Sequence, residues 1–385
     1  LSPKKHILPT IVIAQFFCTS LWFAGNAVMG DLSDSFRLDE GALGNLTSAV
    51  QFGFIIGTLI FALLSIADRF SPSRVFFVCG ILGALFNLGI IWDGNSYASL
   101  LAFRFFTGFF LAGIYPVGMK IAADYYQAGL GKSLGYLVGA LVLGTAFPHL
   151  LQDLKGDYPW PTVLISTSIL ASLGGIFMIL LVPDGPHRKA SQKLDLSAIP
   201  KVFRDAPFRS AAWGYFGHMW ELYTFWAFCP ILLNLYQEYH PLAELNVPLW
   251  SFLIIAVGSL ACVFGGYLAE NQGPKKVARV ALMISGLCCV LAPFAFQLSL
   301  VPLFLAFLLI WGMSVIADSP MLSTLVAQNA PAEFKGTALT IVNSIGFAIT
   351  VISIQSLTLL YTHTPSPYAL LILAIGPLLG WRALR

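Results

Sequence analysis

Apolar stretches long enough to cross a lipid bilayer recur along almost the whole of this 385-residue chain, and few folds tolerate that. Inside hydrocarbon a backbone has no water to bond, so each crossing is a helix of about 20 residues that satisfies its own N–H and C=O groups. Counting on that basis gives expected spans at 7–29, 41–66, 73–93, 98–124, 131–152, 159–182, 208–235, 246–269, 275–297, 300–328, 336–361 and 366–383. Charged residues are only 10% of the chain against roughly 25% in an average soluble domain, which leaves a bilayer as its solvent. The fold class expected is all-α integral membrane, with twelve transmembrane helices.

Orientation follows from lysine and arginine, which collect on cytoplasmic loops. With the N-terminus inside, the inner face receives Lys4, Lys5, Arg69, Arg74, Lys132, Arg188, Lys189, Lys193, Lys201, Arg204, Arg209, Lys275, Lys276, Arg279, Lys335, Arg382 and Arg385. The outer face receives Arg37 and Lys155. Both termini are therefore expected in the cytoplasm, in a multi-pass protein of the inner membrane. The first apolar run follows Lys4 and Lys5 and lacks a small-residue cleavage site, so it reads as a retained span. The longest polar insertion, 184–207, is basic and divides the chain into an N-terminal six-helix bundle (1–183) and a C-terminal one (208–385). A short interfacial helix is expected within it. A net charge of +3 is too small to suggest nucleic acid. The six cysteines all fall in apolar stretches, which reads as core packing, with no metal site or disulfide framework.

Two internal correspondences mark the halves as copies. Asp68, Arg69 and Arg74 close the second span, and Gly266, Glu270, Gly273, Lys275 and Lys276 close the eighth in the same charge order, 270 − 68 = 202 positions on. Gly108 precedes Pro116 by eight residues in span four, as Gly312 precedes Pro320 in span ten. On these residues the chain resembles the major facilitator superfamily of secondary transporters, over nearly its whole length. That family's loop after span two reads G-x-x-x-D-R-x-G-R-R. Here Leu64 and Ser71-Pro72-Ser73 depart from it, while the second copy keeps its glycine spacing. Arg104, Thr107 and Gly108 fit the family's arginine motif in span four.

The resemblance implies two pseudo-symmetric six-helix bundles that rock about a site near the midplane, with the loop charges as a latch. Asp68 would then meet the positive N-terminal end of a helix in the other half, and Arg69 or Arg74 would reach Asp124 at the inner end of span four. Segments such as WELY and YPVGMK are similar to the anion and cyanate or nitrate porter branches. Spans two and eight lack the arginines of nitrate carriers, so nitrate is not the expected solute.

A charge placed within a span costs about 2.5 kcal/mol or more, which selects for use. Arg104 is one such residue, with a structural role and a role in anion binding or proton coupling both open. His218 and Glu221, three apart in span seven, share a helical face with Tyr215, and together are expected to exchange protons, bind a cation or hold a polar ligand. Asp318 in span ten is estimated at the same depth as His218, about 14 Å from the inner surface, beside a proline that weakens the helix. Lys120 is expected to snorkel to the headgroups. Gln15, Trp22, Asn26, Gln51, Tyr115, Tyr215, Trp220 and Asn343 are candidates to line a cavity.

The function expected is secondary active transport of a small polar or anionic solute by a monomer with no cofactor, coupled to protons in the uptake direction. The glycines of span five, Gly135, Gly139 and Gly144, stand without the proline of an exporter's G-P-x-x-G-G turn. A proton-antiport exporter and a transport-inactive sensor are the alternatives. No HExxH motif and no complete Walker lysine loop occurs, so neither a membrane enzyme nor a primary pump is expected.

Overall fold

The computed structural model describes residues 5–126, 130–188, 199–331 and 334–385, with only the backbone at 130–132. Lys4, Lys189 and Lys193 lie outside the described residues, as does the side chain of Lys132. The expected passages are all present, with ends that move by a few residues. Spans two to six are Ala42–Leu63, Pro72–Gly89, Tyr97–Tyr125, Leu130–Leu154 and Pro161–Leu181. Spans eight to eleven are Val247–Gln272, Pro274–Ala295, Val301–Asn329 and Lys335–His363. Many begin with a proline in the first turn, where its missing N–H would have no helical partner anyway. Within 184–207 the described helix is the four-residue Ile199–Val202.

The remaining three passages depart from a simple apolar rod. Span one runs as Ile7–Thr19, breaks, and resumes as Ala24–Ala27 and Met29–Phe36. Span seven, Ala206–Tyr239, is ample in length but carries the buried polar residues His218, Glu221 and Thr224. It is capped at its start by Asp205, whose carboxylate accepts from the Phe208 N–H at 2.8 Å. Span twelve starts as the 3-10 helix Pro367–Ala374 and ends as the α-helix Ile375–Ala383.

The internal copy noted in the sequence is also a copy in packing. Gly108 in span four lies against the Val50 carbonyl of span two so closely that a Cβ there would collide with it. Gly312 in span ten lies in the same way against the Ile254 carbonyl of span eight, and 312 − 108 and 254 − 50 are both 204. Spans one and six meet through Ala14 and Gly174, spans seven and twelve through Gly217 and Gly376, at offsets of 217 − 14 = 203 and 376 − 174 = 202. Small residues at such crossings let backbones approach closely, which replaces a hydrophobic drive that is missing in lipid. Spans four and ten are both broken, the first around Ala112–Ile114 ahead of Pro116, the second at Asp318 ahead of Pro320. Between the halves the main contacts are span five along span eight, with Gly139 against the Ser259 carbonyl, and span two along span eleven.

The last described residues lie at one side of the bundle, called here the terminal face. Lys275 donates to the Arg385 carbonyl there at 3.3 Å, and Arg385 sits over the ring of Trp381, 4.2 Å from its centroid.

Candidate functional site

Near the middle of the molecule the two halves meet in a layer of aromatic rings. Trp22 and Phe54 come from spans one and two; Tyr223, Trp226 and Phe347 come from spans seven and eleven. Trp22 stacks on Tyr223 at 5.6 Å and on Phe347 at 5.8 Å between centroids, and Phe54 meets Phe347 at 4.4 Å. All five side chains are buried, and Trp22 is fixed further by donating to Gln51 Oε1 at 3.3 Å. Of the expected cavity residues, Trp22 and Gln51 thus belong to this layer.

Cavities lie to either side of it. Toward the terminal face, one of about 180 Å³ is lined by Asp68, Lys120 and Pro116 from the first half and by Gly336, Thr337 and Thr340 from span eleven. Toward the opposite, distal face, one of about 470 Å³ is lined by Asn26, His149, Gln152 and Asn234, with Asp39 and Glu40 at its exposed rim. Asn26 donates to Thr47 at 2.7 Å. The other expected cavity residues line neither of these two cavities. Gln15 is fully buried with its Oε1 close to Gly118, Tyr215 donates to Asn343 Oδ1 at 2.8 Å, and Trp220 turns to span twelve to bond the Ile372 carbonyl at 2.9 Å. Tyr115 opens the second segment of span four, where the helix restarts.

The helix break in span ten is where the chemistry concentrates. Asp318 is the residue at which its two segments join, and His218 of span seven faces it with Nδ1 2.7 Å from Oδ1. Each side chain is 1% exposed. The pair is at ion-pair distance without a straight N–H···O alignment, and His218 Nε2 has no hydrogen-bond partner. Equal depth was legible in the sequence; the contact was not. Glu221, expected to work beside His218, instead points into the C-terminal bundle, where Oε1 accepts from Trp311 Nε1 at 2.6 Å and Cys289 Sγ at 3.2 Å. One helical face therefore serves two separate polar contacts rather than one shared site.

Of the roles left open for Arg104, its contacts are those of the structural one. Its guanidinium donates to the carbonyls of Trp22, at 2.6 Å, and Leu21, at 3.3 Å, at the point where span one breaks. Gly25 makes room for it, since a Cβ there would stand 3.2 Å from Nε. A cation buried to 2% exposure is here a plug for orphaned backbone acceptors, and it holds Trp22 in the aromatic layer.

On the terminal face the latch residues are wired differently from the expectation. Lys120 does not snorkel: its Nζ lies 3.1 Å from Asp68 and 3.7 Å from Asp124, so the partner of Asp124 expected to be Arg69 or Arg74 is this lysine. Its spacing of four from Asp124 was the available signal. Arg69 and Arg74 instead line a surface hollow with Asp184 and Arg188. Arg188 bonds the Asp68 and Phe70 carbonyls at 2.9 and 2.8 Å and pairs with Asp184, a role that sequence reasoning missed. In the second copy Gly273 takes φ +82, a left-handed conformation that favours glycine, and Glu270 faces Tyr136 of span five across a small crevice. Lys275 is turned to the chain end, and Lys276 is exposed.

Among the described residues, twelve helical passages, paired broken helices and a plugged midplane define a polytopic membrane protein built as two copies of one bundle. The family model described as Major Facilitator Superfamily matches residues 11–354, and the chain belongs to that superfamily. A 3-(3-hydroxy-phenyl)propionate transporter of Escherichia coli is 27% identical over 165 residues, covering 42% of this chain and 38% of that protein. A niacin transporter of Acinetobacter baylyi is 30% identical over 164 residues, 37% of each chain. A putative metabolite transport protein of Haemophilus influenzae is 29% identical over 140 residues, 34% of this chain and 33% of that protein. The matches thus span 33–38% of the length of these relatives. Family and relatives place the chain among transporters and not enzymes.

Proposed function

We propose that this protein is a secondary active carrier that moves a small polar or anionic solute by alternating access, in the uptake direction and coupled to protons. The observation that carries the reading is the pair of cavities on opposite sides of an aromatic layer to which both halves contribute. If the halves, 1–183 and 208–385, rock about that layer, the site opens to one side at a time, and the linker 184–207 joins the moving bodies. The terminal face is taken as cytoplasmic because the lysines and arginines segregate to it.

Coupling is assigned to His218 and Asp318. A buried acid and imidazole at a helix break exchange a proton with each other or with a passing water more readily than groups locked in a continuous helix, because the break frees backbone and side chain to move together. The relatives named for 3-(3-hydroxy-phenyl)propionate and niacin carry small aromatic acids, which fits a solute that meets aromatic rings at the midplane.

Purified protein in sealed proteoliposomes tests the reading, with labelled niacin, 3-(3-hydroxy-phenyl)propionate and 3-phenylpropylamine as probes. At least one probe should exchange in counterflow and accumulate when the outside is made acidic. No counterflow for any of the three, at a protein density that gives it for a known carrier, defeats the carrier reading and favours a sensor. Accumulation driven by the opposite gradient would make the protein an exporter.

The latch is assigned to Asp68 and Lys120, which face the start of span eleven across the smaller cavity. Asp68 there sits within reach of the partial positive charge at a helix N-terminus. Asp68→Asn is expected to lower counterflow at least fivefold at matched reconstitution. Wild-type rates in that variant would remove the latch.

A further inference from the structure

The distal cavity holds hydrogen-bonding groups that no role above employs. His149 in span five lines it, is 2% exposed, and has a buried Nε2 with no partner. Gln152 lies three residues on, on the same helical face. Its amide nitrogen is committed to Asp31 at 2.9 Å, while its Oε1 is buried without a partner. Asn26 has its own amide nitrogen committed to Thr47, and the carboxylates of Asp39 and Glu40 stand at the rim. Among the described residues no lysine or arginine lines this cavity. Ser33, Ser251 and Asn234 add groups that donate as well as accept. What sets the lining apart is two rim carboxylates with no lining cation, above the unpartnered acceptor Gln152 Oε1 and the unpartnered His149 Nε2. Buried acceptors left without donors are costly.

We propose that the distal cavity is a recognition site for an organic cation or similarly donor-rich solute, whose ammonium or hydroxyl groups donate to Gln152 Oε1 and to the His149 imidazole. The acidic rim draws such solutes in and turns anions away at the mouth. The proposal rests on the carrier reading for its purpose but sets aside the anionic solute of that reading for a cationic or donor-rich one, and binding is measurable without transport. His149 Nε2 accepts when the ring proton is on Nδ1, so the neutral imidazole suits an ammonium donor.

Three probes with one skeleton and different charge separate the outcomes: 3-phenylpropylamine, 3-phenylpropanol and 3-phenylpropionate, titrated calorimetrically into the purified full chain. The amine is expected to bind at least tenfold more tightly than the propionate, and His149→Leu and Gln152→Leu each to weaken it about tenfold. Tighter or equal binding of the propionate, unchanged affinity in both variants, or no saturable binding of the amine at 10 millimolar overturns the proposal.

A second measurement does not depend on those variants folding. All native cysteines are buried, so a thiol introduced by Asn234→Cys at the exposed cavity wall reports local charge by its rates with a cationic and an anionic methanethiosulfonate. Preference for the cationic reagent at least tenfold above that of a free thiol is expected, and no preference overturns the electrostatic argument. Amine binding without counterflow removes the carrier reading and keeps this one. Counterflow of the anionic probes without amine binding does the reverse.

Discussion

Asp318→Asn should reduce gradient-driven uptake at least a hundredfold while leaving counterflow within about threefold of the native rate. The asparagine keeps the size of the side chain and a hydrogen-bonding group toward His218, so the joint between the two segments of span ten survives. What it removes is the capacity to give up and regain a proton at a residue that is 1% exposed and 2.7 Å from an imidazole. Exchange of solute across the membrane needs only rocking; accumulation against a gradient needs the proton. Accumulation at the native level in this variant would move the coupling site elsewhere, with Glu221 the next residue to test. If both rates vanish together, Asp318 serves the motion itself rather than the coupling.

Arg104→Leu should lower unfolding free energy by about 2–6 kcal/mol, measured by denaturant titration in micelles. The estimate comes from leaving two buried carbonyls, those of Leu21 and Trp22, without donors at about 1–3 kcal/mol each. In a membrane interior no water fills the gap, and span one cannot close its own ladder there without moving Trp22 out of the aromatic layer. Arg104→Lys keeps a charge but loses the fork that reaches two acceptors, so it should recover only part of the loss. A leucine variant as stable as the native chain would mean that the break in span one holds without the guanidinium.

The architecture was legible because bilayer physics writes it in long runs: among the described residues nine passages are long and apolar enough by themselves, while spans one, seven and twelve are broken or carry polar residues. The break in span ten was legible too, since Pro320 cannot continue a ladder behind it. The break in span one was not. Residues 20–23 contain neither proline nor glycine, and the cause sits in another helix, at Arg104. Lys120 was read as snorkelling because depth alone was considered, although Asp124 stood one turn away. His218 and Glu221 were grouped by a spacing of three, yet a wide helix face touches two neighbours, and span ten receives both through different residues, Asp318 and Trp311. His149 passed unnoticed within an apolar run; an imidazole at that depth was itself the signal.

The glycine contact between Gly312 and Ile254 has a mechanical meaning. With backbone against backbone, span eight and the first segment of span ten cannot slide apart without losing the fit. Asp318 sits at the end of that segment. Span eight carries Pro248 and Ser251 at the distal cavity and, near its far end, Glu270 beside span five at the terminal face. If the halves rock as proposed, a displacement at the break in span ten would be carried to both mouths at once and with opposite sense, as the two ends of a beam move when its middle is tilted.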